Sequence, residues 1–465
     1  MMIKRIASWF FGIAFVLIAI VFIGYWWRYE RPQKTSLKLP KKAKLLINID
    51  LREVEKTIFW DALYHPMSYW DDSTSDEDDA HKPSKGLHVP AKISFFVLED
   101  YGDILFSQPV PVKENRFAEY VDTLVNQKKW ELIDSQFVYD AEKHLFYLWD
   151  DDRLGVAFAK RENSDFIQTT ILDVLKGKDC LPIPEELLDK INLGEHHFVI
   201  WQKQSEWTNN ESAMLYGDFE KGSLAIQGEI PFKYGFSERN SYVKDASSSD
   251  EVLSFYLNLN DNKFPFSDSF YRNFQKVTHL TLDSLLQYST GKLSLSVPNI
   301  QSKIDSIVTY EYDDDFNKIE KVTTQKILAA DIVAQLEGRD SLTLYDYFER
   351  RGVIKDINDV SRFVGIPFVE MEATVIGSQL VLSSLSQTDL EEKLDSNFMK
   401  LNIGCSQYPQ MFDYLPFSLD SAQVNMIDAL EFKACQVPNT NQISIKARLK
   451  MKNKHRNMLG VLATH

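Results

Sequence analysis

The sequence predicts an α+β protein: an N-terminal transmembrane helix followed by two modules, each an antiparallel sheet covered by helices. Residues 7–27 form one uncharged apolar stretch. Downstream, alternating apolar segments separated by Gly- or Asp-containing turns are typical of hairpins, and segments of helical apolar spacing lie between them. Hairpins favour antiparallel over parallel sheets. The order of segments recurs in the second half, which predicts modules at residues 44–245 and 246–465 and indicates an internal duplication.

The apolar stretch, ASWFFGIAFVLIAIVFIGYWW, is long enough at ~1.5 Å per residue to cross a ~30 Å hydrocarbon core. It exceeds the apolar core of a typical secretory signal peptide. It ends in Tyr25, Trp26 and Trp27, which resemble an interfacial aromatic belt, and not in a small-residue cleavage site. We therefore expect a retained single-pass helix at 7–27, preceded by a short cytoplasmic tail at 1–6.

The charges around this stretch bear on sidedness. Residues 28–43 form a basic linker that is better suited to anionic lipid headgroups than to nucleic acid, and its positive charge alone would place it in the cytoplasm. Large domains, however, translocate largely regardless of charge. The predicted location is therefore the inner (cytoplasmic) membrane, with the bulk of the chain periplasmic or otherwise extracytoplasmic, and with membrane lipid as a partner.

Composition limits the partners of the chain. The net charge is −15 over 465 residues, and residues 1–44 contain nine Lys/Arg against one Glu, which leaves about −23 on the remainder. Such an acidic domain repels phosphate backbones, so no nucleic-acid partner is expected. Only three cysteines occur, too few for a disulfide scaffold. Cys405 and Cys435 would be able to pair in an exported domain, and three free thiols are equally consistent with the sequence.

The first module has a clear order of predicted elements. A strand at 44–50 precedes a helix over Leu51–Tyr64 that Asp50 is placed to cap. The later predictions are a hairpin at 93–112, a helix at 115–127, strands at 137–140, 145–149 and 154–160, helices at 165–176 and within 181–193, a strand at 197–202, and a hairpin at 214–230 that turns at Lys221 and Gly222. Residues 236–250 are predicted to be a linker.

The second module repeats this order. Residues 251–260 correspond to the first strand, 306–326 to the hairpin, 327–338 to the helix, 372–394 to the strand–turn–strand–helix segment at 145–175, and 423–451 to the late strands. Residue identity between the halves is low. Two unrelated domains with the same types of element remain the alternative to a duplication.

The segments KLPKKAKLLINIDL, after the apolar stretch, and GSQLVLSSLSQTDLEEKL, in the second half, give the chain a family likeness. With this pattern it resembles single-pass bacterial envelope proteins that have an α+β ectodomain. The resemblance implies an envelope location and a membrane-tethered domain. It transfers no catalytic residue and no activity.

Several residue clusters suggest chemistry, and each has a structural alternative. The acidic segment 71–85 invites a calcium site but lacks EF-hand ligand spacing, which favours a solvated loop. His196 and His197 are adjacent before a strand, so one is expected inside and one outside. The acidic turn at 150–152 is expected to bind its own backbone. Trp60, Tyr64, Tyr69 and Trp70 form an aromatic group that suits either a core or a partner.

These alternatives leave no assigned catalytic, cofactor-binding or metal-ligating residue, and no cofactor is expected. The predicted function is that of a membrane-anchored, non-catalytic envelope protein whose ectodomain binds or scaffolds other envelope components. One alternative is a hydrolase of envelope polymers that uses two dispersed carboxylates, which leave no local motif. A carrier of lipid or another ligand is the other alternative. Whether the chain is an enzyme stays open, with a non-enzyme favoured.

Overall fold

A computed structural model describes most of the chain in two compact units. The described residues are 23–30, 37–66, 86–87, 89–99, 101–205, 208–233, 241–246, 252–258, 271–272, 275–276, 280–312, 318–365, 369–385, 390–395, 398–405, 425–454 and 457–458. The first unit comprises residues 1–205, 210–226 and 454–465, and the second comprises 206–209 and 227–453. Each unit is described by itself.

The first unit alternates strands with four helices among its described residues. Its helices are α1 (Leu51–Tyr64), α2 (Glu114–Asn126), α3 (Ser164–Leu175) and α4 (Glu185–Leu193). Its strands are β1 (Lys38–Pro40), β2 (Ala43–Asp50), β3 (Lys92–Leu98), β4 (Tyr101–Ser107), β5 (Val110–Pro111), β6 (Glu131–Asp134), β7 (Phe137–Asp140), β8 (Leu145–Trp149), β9 (Arg153–Phe158), β10 (Cys180–Pro182), β11 (Phe198–Gln202) and β12 (Ala213–Glu220), and β13 (Ser223–Pro231) leads into the second unit.

The main sheet of the first unit is antiparallel, in the order β12-β11-β2-β3-β4-β9-β8-β7-β6. Its core lies on one face, where α3 and α4 bury Ile167 and Leu187 against strand residues that include Phe96 and Phe146. On the opposite face of β7–β9, α2 buries Phe117 in a second cluster. Successive strand residues point to opposite faces, which allows both clusters to form on the same strands.

The second unit has longer strands and two helices among its described residues. The helices are α5 (Leu282–Tyr288) and α6 (Ser341–Arg350). The strands are β14 (Ser241–Ala246), β15 (Leu253–Asn258), β16 (Ser289–Tyr312), β17 (Lys318–Gly338), β18 (Ile354–Ile357), β19 (Val360–Phe363), β20 (Met371–Ile376), β21 (Gln379–Ser383), β22 (Leu390–Asp395), β23 (Met399–Gly404), β24 (Ile427–Gln436) and β25 (Gln442–Met451). Leu344 and Phe348 of α6 are buried against the sheet.

The sheet of the second unit follows the strand order of the first. It runs β24-β23-β15-β16-β17-β21-β20-β19-β18, antiparallel throughout, with β25 beside β24. Each of the nine strands from β24 to β18 in this order therefore has a counterpart in the first unit, with the neighbours in the same sequence. β14 and β22 form a separate two-stranded sheet.

The predicted α+β class is wrong, because the described chain is mostly antiparallel β-structure. The segment 327–338, predicted as a helix, is the end of β17, and the predicted helical end of 372–394 is β22. From Ala329 to Gln335 of β17 the buried residues alternate, and they include polar Asp331 and Gln335. This alternation has the two-residue period of a strand, but the polar members conceal it from an apolar pattern.

The N-terminal stretch is described only from Ile23 onward, and residues 7–22 lie outside the described residues. Residues Trp26–Glu30 form a π-helical turn. Within the described ranges, none of the helices has both the length and the apolar character needed to cross a bilayer. Of the predicted transmembrane helix at 7–27, only residues 23–27 are described.

Candidate functional site

A β-ribbon extends from the sheet of the second unit. β15 pairs with residues 292–297 of β16, β21 pairs with 333–337 of β17, and the outer parts of β16 and β17 pair with each other up to Tyr312 and Lys318. We call residues 301–312 and 318–326 the ribbon. Every ribbon residue whose side chain is described is exposed.

One face of the ribbon carries three exposed aliphatic side chains, and we call these three the apolar face. Val308 pairs with Val322, and Ile304 lies on the same face because it is an even number of residues from Val308. These three side chains are 47%, 60% and 71% exposed. Complete burial of these three side chains by a partner would contribute roughly 3–5 kcal/mol of favourable free energy. A two-stranded ribbon is marginally stable in water by itself, so this face is suited to covering by a partner.

Polar atoms of helix α1 face the body of the first unit. Asp50 caps the helix, since its Oδ1 accepts a hydrogen bond from the backbone N–H of Glu53 at 3.1 Å. Asp61, only 5% exposed, accepts a hydrogen bond from the backbone N–H of Asn457 at 2.8 Å. Thr57, one turn earlier on the same side, has its Oγ1 2.6 Å from Nε2 of His197. Thr57 and Asp61 therefore lie on the inner side of this helix.

Other side chains of α1 are apolar or aromatic and exposed. Phe59, Leu63 and Tyr64 are 37%, 56% and 71% exposed. Tyr25 packs on the helix, with ring centroids 5.3 Å from Trp60 and 6.2 Å from Phe59. Its hydroxyl accepts a hydrogen bond from Trp60 Nε1 at 3.0 Å.

The segment that contains Tyr25 extends this apolar area. Ile23, Trp26 and Trp27 are 66%, 57% and 65% exposed, and Arg28 forms an ion pair with Glu55 of α1. We call the exposed side chains of the two elements the aromatic surface: Ile23, Trp26, Trp27, Phe59, Leu63 and Tyr64.

His196 and His197 converge on Asp218 of β12, which corrects the prediction that one points inward and one outward. Nδ1 of His196 lies 2.7 Å from Oδ2 of Asp218, and Nδ1 of His197 lies 3.0 Å from Oδ1. The backbone N–H of His197 donates to the same carboxylate at 3.2 Å. The prediction failed because Asp218 is distant in sequence and reaches the pair through the pairing of β12 with β11.

This arrangement lowers the pKa of Asp218 to about 2. Burial alone would raise the pKa, but the hydrogen bonds from His197 and His196 and from the backbone N–H of His197 outweigh it. Hydroxyl, imidazole and carboxylate follow one another in the order Thr57, His197, Asp218, as in nucleophilic triads. Here, however, the threonine lies within a helix and the carboxylate is shared with His196. Because His197 contacts both Thr57 of α1 and Asp218 of β12, the cluster connects α1 to β12.

A buried ion pair lies at the start of the same helix. Nζ of Lys92 is 3.2 Å from Oδ2 of Asp50, and their side chains are 3% and 4% exposed. Lys92 also donates a hydrogen bond to the carbonyl of Ile191 in α4. A buried charge costs free energy unless it is paired and hydrogen-bonded, so these contacts fix the β2–α1 junction relative to α4.

The acidic segments and the cysteines are the remaining candidates from the sequence. The acidic segment 71–85, together with Tyr69 and Trp70, lies outside the described residues. Asp150 accepts a hydrogen bond from the backbone N–H of Arg153 at 3.0 Å, as a turn residue is expected to do. All three cysteines are free thiols, and burial raises the pKa of Cys405 to about 11. Across the described ranges, no three His, Cys, Asp or Glu side chains group as metal ligands.

Neither a family model nor a curated protein matches the chain. Two crystal forms of TP0453 are similar in part. Form I has 10% sequence identity and a TM-score of 0.26, over 43% of this chain and 80% of that one. Form IV has 10% identity and a TM-score of 0.27, over 42% and 81%. At such TM-scores the similarity defines neither the fold nor the function of this chain.

Proposed function

We propose that this chain is a membrane-associated, non-catalytic protein of a bacterial cell envelope that binds other envelope proteins through its ribbon. The single observation that supports binding is that Ile304, Val308 and Val322 lie on one face of the ribbon and are exposed to solvent. Contiguous exposed apolar groups mark interaction sites more often than scattered ones do. The uncharged sequence at 7–27 supports membrane association.

The expected binding mode uses the face of the ribbon. Lys318 lies beside the apolar face, and its Nζ is 3.6 Å from the ring centroid of Tyr310. An apolar centre with a polar rim is the usual composition of a protein interface. A partner that covers Val308 and Val322 would bury the pair together, since the two residues lie opposite each other across the ribbon.

Site-specific photo-crosslinking in source cells tests this function. A benzophenone amino acid replaces Val308 on the apolar face or, as a matched control, Ile319 on the opposite face; the two residues are 47% and 50% exposed. We expect one discrete protein adduct at position 308, absent at 319, and lost when Val322→Lys places a charge in the contact. Equal background at both positions would contradict binding through this face.

A further inference from the structure

We propose that the aromatic surface is a lipid-docking surface, which holds helix α1 in the headgroup region of a membrane. This inference rests on the proposed membrane association and goes further, because it assigns a contact surface to the folded unit itself. Its first support is the position of two large apolar side chains of α1. A surface helix of a soluble protein turns its apolar side to the core, whereas Phe59 and Leu63 are exposed on the side of α1 that faces away from Thr57 and Asp61.

The second support is that two separate segments of the chain contribute side chains to the surface. Trp26 and Trp27 come from one segment and Phe59, Leu63 and Tyr64 from another, and the packing of Tyr25 on Trp60 joins them. A single exposed aromatic residue is ordinary. Here six exposed apolar side chains come from two elements that pack on each other.

The third support is the chemistry of the area. Trp and Tyr concentrate at membrane–water interfaces, where an apolar ring and a polar tip both find suitable surroundings. Ile23, at the edge of the surface, directly follows residues 7–22, which contain no charge from position 7 onward. The apolar sequence at 7–22 therefore leads directly into the aromatic surface at Ile23. If a membrane takes up the apolar sequence, the aromatic surface lies next to that membrane.

Charge also selects lipid over a second copy of this chain. The aromatic surface adjoins Arg28 and the basic sequence that ends at Lys44, and basic residues beside a membrane attract anionic headgroups. The rest of the chain carries about −23, so two copies repel each other at long range. A surface of anionic lipid is therefore the partner that fits both features.

The purified full-length chain, reconstituted with vesicles of phosphatidylglycerol and phosphatidylethanolamine, provides the test. A benzophenone amino acid replaces Leu63 or Tyr64, and flotation reports membrane association separately from the crosslink. Leu132 is the matched control, since it is 52% exposed against 56% for Leu63 and lies in β6, at the far edge of the sheet from β2. We expect lipid adducts at 63 and 64 and none at 132.

A charged variant keeps the test falsifiable. With the crosslinker at Tyr64, Leu63→Glu should abolish the lipid adduct, while the circular dichroism spectrum stays unchanged because Leu63 is exposed. Flotation without lipid adducts at 63 and 64 would overturn the docking surface and leave membrane association intact. Adducts between two copies of the chain would overturn it as well. Loss of flotation in the unsubstituted chain would overturn the proposed membrane association itself.

Discussion

Asp218→Asn is the substitution that the histidine cluster makes most informative. The carboxylate receives contacts from two imidazoles and one backbone N–H, and its pKa falls from an ordinary 3.8 to about 2. A pKa shift of one unit corresponds to about 1.4 kcal/mol, so the unscreened contribution is about 2 kcal/mol. Because 26% of the side chain is exposed, screening reduces this, and we expect a loss of about 1–2 kcal/mol at neutral pH.

The sign of the pH dependence follows from the lowered pKa. The folded protein holds Asp218 ionised more strongly than the unfolded chain does, so its stabilisation is complete above the ordinary pKa. It is then lost as the pH falls from about 4 towards 2. The difference in stability between the wild type and Asp218→Asn should therefore be largest at neutral pH and shrink in acid.

Urea denaturation of the full-length chain, repeated over a pH series, measures this difference. Asp151→Asn is the control, because Asp151 is an exposed carboxylate of the same unit and its replacement should change stability by less than about 0.5 kcal/mol. Amide hydrogen exchange in α1 adds a local measurement, since His197 connects Asp218 to Thr57. A loss for Asp218→Asn that is the same at every pH, or no larger than that of the control, would refute the electrostatic argument.

Three further predictions each concern a single residue. Gly155→Ala would drive its new methyl group into Cγ2 of buried Ile171, so we expect thermal denaturation to show a loss of about 1–3 kcal/mol. Thr57→Val keeps the side-chain shape but removes the hydroxyl beside His197, so hydrogen exchange in α1 should quicken by the equivalent of about 1 kcal/mol. Cys405, buried and with a pKa of about 11, should react with N-ethylmaleimide only after denaturation, as read by mass spectrometry.

Local signals were sufficient for the first half of the fold. The helix predicted over Leu51–Tyr64 has those bounds, because Asp50 supplies an N-cap where the preceding strand ends. The hairpin predicted to turn at Lys221 and Gly222 has Gly222 at φ +60°, a conformation that glycine adopts without strain. In both places the residues that determine the structure are neighbours in sequence.

Long-range pairing explains where sequence reasoning failed. Asp331 is buried in β17 because Gln301 of β16 donates a hydrogen bond to its Oδ2 at 2.9 Å. Without that partner, a buried carboxylate is too costly, and the segment 327–338 has the composition of an amphipathic helix. The ribbon was likewise predicted as an ordinary hairpin, since sequence shows the strands and not how far they extend beyond their neighbours.

The orientation of α1 about its own axis links the histidine cluster to the aromatic surface. A helix of this length is marginal by itself, so its rotation about its own axis depends on what holds each side. Thr57 and Asp61 have polar partners on the body of the unit, and turning them outward would leave those partners without their hydrogen bonds. Because Leu63 lies on the opposite side, the contacts that keep Thr57 and Asp61 inward also keep Leu63 outward. If both proposals hold, Asp218→Asn should reduce the lipid adduct at position 63 although Asp218 is not part of the aromatic surface, whereas Asp151→Asn should leave the adduct unchanged.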